Sequence, residues 1–90
     1  MAKLECFTIN GISLWFWSND HKPPHFHAKR AGKWEVRVYF LEESAANMLD
    51  VMWGEKAFTA ADKKALAKMV AAHRANILEE WELKVNPDDN

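Results

Sequence analysis

Cysteine occurs once in these 90 residues. A single thiol, Cys6, excludes an internal disulfide, so the fold must be held by its own core. Long apolar runs are missing too: nothing approaches the roughly 20 consecutive apolar residues a bilayer-spanning helix needs, which rules out helical membrane insertion. No early stretch joins a basic region to an apolar one and a small-residue cleavage site, and a cytoplasmic location is the expectation. Neither sign of charge is in excess. A formal net charge of −1 argues against a strongly electrostatic grip on nucleic acid, which draws on a basic face; only Lys29, Arg30, Lys33 and Arg37 cluster, as a small cationic hairpin tip. There is neither internal repeat nor low-complexity segment.

What remains is an apolar, aromatic-rich chain. It is 49% hydrophobic and 28% charged with five Trp, the balance of a compact globule rather than a disordered segment. Ninety residues support one core, so a single domain is expected over 1–86, with 87–90 a flexible acidic tail.

Periodicity divides that domain. The β-branched and aromatic runs Cys6 to Ile9 and Ile12 to Trp17 flank Asn10-Gly11, a strong hairpin signal. His25 to Lys29 and Trp34 to Phe40 flank a second turn containing Gly32. Met48 to Trp53 reads as a further strand, and Glu42 to Asn47 as a short helical turn. From Ala60 to about Glu82 the spacing of Leu66, Met69, Val70, His73, Ile77 and Trp81 becomes helical, opened by a cap-like Thr59 and Asp62. The predicted fold is α+β: a small, mostly antiparallel sheet of about four strands in two hairpins, packed on one long C-terminal helix.

Strand alternation then sorts the side chains. Phe26 and Ala28 with Trp34, Val36, Val38 and Phe40 share the helix-facing side, joined by Ile12, Leu14 and Phe16 and by Leu49, Val51 and Trp53. The other side carries His25, His27, Lys29, Glu35, Arg37, Tyr39 and Asp50, with Trp15 and Trp17 beside them. Trp15, Trp17, Lys29 and Tyr39 are candidates for a binding surface that a partner or a second copy of the chain covers.

The densest chemistry lies in Asn19-Asp20-His21-Lys22-Pro23-Pro24-His25-Phe26-His27, where three of four histidines surround a stiff Pro-Pro step. Two imidazoles at His-x-His spacing on a strand lie about 6.6 Å apart at the backbone on one side, suited to a shared Zn²⁺ or similar divalent ion. His21, Asp20, Glu35 or Asp50 can supply a third ligand; the set read first is His21, His25 and His27. Against this stand a purely structural, hydrogen-bonded pair, and metal-free acid-base chemistry in which His25 or His27 exchanges protons with Glu35 while Arg37 or Lys29 holds a phosphate. His73, on the helix stripe, is a partly buried histidine or a late member of the same site.

The string His21-x-Pro23-Pro24-His25-Phe26-His27, followed by Gly32, His73-Arg74 and Glu80-Trp81-Glu82-Leu83, resembles the bacterial family called domain of unknown function 4160. The likeness spans most of the chain, with the Glu42 to Asn47 segment an addition to the shorter pattern. It implies a shared role for His21, His25 and His27. Because similar genes often stand beside a second small gene, it also implies a two-gene module of toxin-antitoxin or regulatory type with a protein partner. Two functions follow from the residues: a small binding module, as homodimer or with that partner, or a small hydrolase acting on RNA or another phosphodiester, through metal or acid-base groups.

Overall fold

The computed structural model describes residues 1–85, so the tail expected at 87–90 lies outside the described residues. Strands β1 (Ala2–Lys3), β2 (Ser13–Phe16), β3 (Phe26–Arg30), β4 (Trp34–Val38) and β5 (Leu49–Trp53) form one sheet in the order β1-β2-β3-β4-β5. Each is antiparallel to its neighbour in the chain. A short helix α1 (Ala45–Met48) precedes β5, and the long helix α2 (Ala60–Lys84) ends the fold. The α+β class holds, with five strands where about four are expected. Among the described residues no helix is long and apolar enough to cross a membrane.

The extra strand comes with a correction at the chain's start. Cys6 to Ile9 is not a strand; only one isolated bridge, Ile9 to Ile12, survives around Asn10-Gly11. The strand paired with β2 is instead Ala2–Lys3, in register Ala2 to Phe16 and Lys3 to Trp15. The cause is a competing acceptor on α2. After the Leu4 N–H donates to the Leu14 carbonyl, the next two amides, of Glu5 and Cys6, donate to the Glu80 carboxylate at 2.9 and 2.8 Å. A charge-assisted acceptor outcompetes a ladder carbonyl, and the chain turns off the sheet.

The central strands sort as alternation predicts. Phe26, Ala28, Trp34, Val36, Val38 and Phe40 are fully buried against Leu66, Val70, Ile77 and Trp81 of α2 in one core. Each large side chain contributes about 1.5–3 kcal/mol by leaving water. Thr59 caps α2, its hydroxyl accepting the Asp62 N–H at 3.1 Å. The Asp62 carboxylate also accepts from the Trp34 indole at 2.9 Å and from Arg30 at 2.8 Å, so the helix start is bolted to the β3–β4 hairpin. Arg30 is thereby spent on a structural ion pair rather than on a free cationic tip.

On β5 the expected face breaks down. Leu49 and Val51 pair with Val38 and Val36, but the register shifts so that Trp53 stands opposite Glu35. One extra residue reverses the side a chain presents; Trp53 therefore faces away from the helix, 44% exposed, instead of joining the core. Gly54 follows with φ 78°, where an added Cβ would stand 2.1 Å from the Lys33 carbonyl oxygen. Only glycine lets the strand end approach the neighbouring hairpin so closely.

Candidate metal centre

Nine residues, 17–25, connect β2 to β3, and they fold back so that Asp20 meets His27 on β3. Asp20 starts that return. Its N–H donates to the Trp17 carbonyl at 3.1 Å, and its Oδ2 accepts the Trp17 N–H at 2.9 Å. A short acidic side chain that satisfies its own turn is held in one place. Its carboxylate is consequently delivered to the histidines: His27 Nε2 donates to Oδ2 and Oδ1 at 3.1 and 3.2 Å, and His25 Nε2 stands 3.6 Å from Oδ1.

The two rings are buried, 6% exposed for His25 and 5% for His27, with centroids 5.1 Å apart. His25 Nδ1 donates to the Pro23 carbonyl at 2.9 Å. That bond fixes its tautomer: a neutral ring with the proton on Nδ1 turns the Nε2 lone pair toward Asp20. Burial holds His25 below its ordinary pKa of 6.5, opposed by the Pro23 carbonyl and Asp20, so the neutral form is favoured. Tyr39 and Trp81 flank the ring at 5.1 and 5.7 Å. On the other side Trp15 stacks on His27 at 5.4 Å and 19°, with Trp17 edge-on to both.

One ligand atom from each of Asp20, His25 and His27 lies within 4.8 Å of the others. A tetrahedral ion with bonds of about 2.0–2.1 Å needs ligand atoms about 3.3 Å apart; the two edges that share Asp20, 3.1–3.2 Å to His27 and 3.6 Å to His25, lie near that value, and the third lies within 4.8 Å. His25 fits a ligand role as it stands. His27 fits at a cost, because a metal on Nε2 moves the proton to Nδ1, which is buried and has no partner. Leaving such a donor unpaired costs about 1–3 kcal/mol, a cost that an ion bound here would have to offset.

The remaining candidates separate from this group. His21 is exposed and stands outside the triad, its expected place taken by Asp20. Arg37 faces His27 in register and lies across from Asp50, with Nη1 to Oδ2 at 3.5 Å. Glu35, two residues away, pairs in register with Lys29. Trp17 is 42% exposed, whereas Trp15 is buried beneath it. Tyr39 lines a small groove of about 300 Å³ with Pro23 and Pro24. Trp15, Trp17 and Lys29 line a larger one of about 590 Å³. His73 stacks on Phe7 at 5.4 Å, half-buried, and belongs to the helix packing. Asp20 was one possible third ligand among several in the sequence; the signal that singles it out is its position three residues after Trp17, where an aspartate closes its own turn.

No curated protein and no solved structure matches the chain. A family model does, described as a domain of unknown function, over residues 11–82. That span holds the whole triad, the hairpins behind it and most of α2, and the chain belongs to this family, DUF4160.

Proposed function

We propose that the chain is a small binding module whose recognition face is shaped by a divalent transition metal, Zn²⁺ by ligand type, held by Asp20, His25 and His27. The observation that carries the reading is the convergence of three ligand atoms within 4.8 Å on side chains that are almost wholly buried. Two of the ligands stand on the 17–25 connection and the third on β3, so an ion there ties the loop to the sheet. The tied loop in turn backs Trp17 and Tyr39, which with Lys29, and with the buried Trp15 supporting them from beneath, form the surface offered to a partner protein, as in a two-gene toxin-antitoxin-like or regulatory pair, or to a second copy of the chain.

Hydrolysis of RNA is the alternative. It needs an open metal position, or an acid-base pair, facing a cleft with a cation for the phosphate. Neither groove described above is lined by Asp20, His25 or His27, and the Arg37 guanidinium is turned to Asp50. Binding fits that geometry better.

Elemental analysis of tag-free protein tests the centre: one equivalent of metal per chain is expected, falling to background in Asp20→Ala and His27→Ala. A metal-free protein that takes up no added Zn²⁺ overturns it. The binding role is tested by coexpression with the product of the adjacent gene. Co-elution that weakens in Trp17→Ala supports it, and RNA cleavage lost in His25→Ala replaces it with the hydrolase.

A further inference from the structure

The larger groove owes its existence to Glu80. Because that carboxylate draws the Glu5 and Cys6 amides toward α2, β1 covers only Trp15 and Phe16 of β2. The chain beyond leaves the ladder and returns toward β2 only at the Ile9–Ile12 bridge. The opening, about 590 Å³, has Leu4, Phe7, Ile12 and Leu14 along its apolar side. It falls within the roughly 300–1,000 Å³ of small-molecule sites.

Its polar lining has one sign. Lys3 and Lys29 stand on the strands flanking β2, opposite Trp15 and Ser13 respectively, and among the described residues no Asp or Glu lines the groove. Among the described residues neither ammonium is drawn into an ion pair of the kind that occupies Arg30, Arg37 and Lys84. Trp15 lines the groove through its ring, its indole N–H buried and, among the described residues, without an acceptor. Two cations beside an apolar trough select a ligand with an anionic head and an apolar tail.

We propose that this groove binds a single-chain aliphatic carboxylate, its head between Lys3 and Lys29 and its tail along Phe7, Ile12 and Leu14. The proposal names the ligand chemistry of the face read above as a binding surface. It does not depend on the metal, so a metal-free protein overturns the centre and leaves the groove to be judged by its own titration.

The test is calorimetric titration of the full chain with laurate below its micelle concentration. Acetate serves as the head without the tail, and dodecyltrimethylammonium as the tail with the opposite charge. One-to-one laurate binding, with neither control bound, is expected. Lys3→Gln with Lys29→Gln should weaken it at least about tenfold, since both charge-assisted contacts are lost, and Thr8→Trp on the rim should block it, both variants keeping the parent's melting temperature. Absence of laurate binding overturns the proposal. So does equal binding of the cationic amphiphile, unchanged affinity in the lysine variant, or self-association through the groove that laurate does not displace.

Discussion

Cys6 shows how one neighbour decides a residue's chemistry. Burial, then the Glu80 carboxylate that accepts its thiol proton, push its pKa up to about 12. At pH 8 the thiolate is then on the order of a thousandfold rarer than in an ordinary cysteine. Iodoacetamide should label the native chain correspondingly slowly, and at the usual rate once urea unfolds it; rapid native labelling would contradict this placement. Asp62 gives the opposite sign. The Arg30 guanidinium, helped by the Trp34 indole, holds its carboxyl below the ordinary 3.8. A depressed folded-state pKa means stability present above the unfolded value and lost as pH falls from there through the folded one. Asp62→Asn should therefore flatten the acid limb of a urea-unfolding series between pH 5 and pH 2 relative to the parent, with little change in slope above pH 5.

At the level of elements, the cap and the bulge make separate predictions. Thr59→Ala removes the acceptor of the Asp62 N–H and should cost about 1 kcal/mol in urea melts. Gly54→Ala should cost more, about 3 kcal/mol or above, because the new methyl meets the Lys33 backbone at φ 78°. A cost for Gly54→Ala below that of Thr59→Ala would refute the close approach. These elements also mark what was legible in the chain. Period-2 alternation from Phe26 to Val38 and helical spacing from Ala60 onward are local patterns, and both appear where expected. Cys6 to Ile9 carries the same local signal and still leaves the sheet, because the acceptor that removes it lies 74 residues away. Trp53 faces outward because of one shifted pair, which no alternation rule contains. In the site, parity brings His25 and His27 together, but the choice of Asp20 over His21 depends on how residues 17–25 fold back, of which spacing signals only the turn that Asp20 closes on Trp17.

For the molecule as a whole, an ion held by folded chain alone adds stability by mass action. At a hundredfold excess over its Kd, Zn²⁺ supplies about 2.7 kcal/mol. At about 4–8 °C per kcal/mol for a domain of this size, Tm should rise by about 10 °C or more over chelator-treated protein. Asp20→Ala should show no such rise; an equal rise in that variant would place the ion elsewhere. The order β1-β2-β3-β4-β5 carries a further consequence. Every ladder joins strands adjacent in the chain, and the connection bearing Asp20 and His25 contributes no rung to any of them. Apart from His27 on β3, architecture and site are thus written in different parts of the sequence: the sheet can persist while the loop varies in length and in the two ligands it carries. A glycine inserted after Ser18 should leave circular dichroism unchanged and abolish metal uptake, as expected of a fixed chassis carrying an exchangeable head.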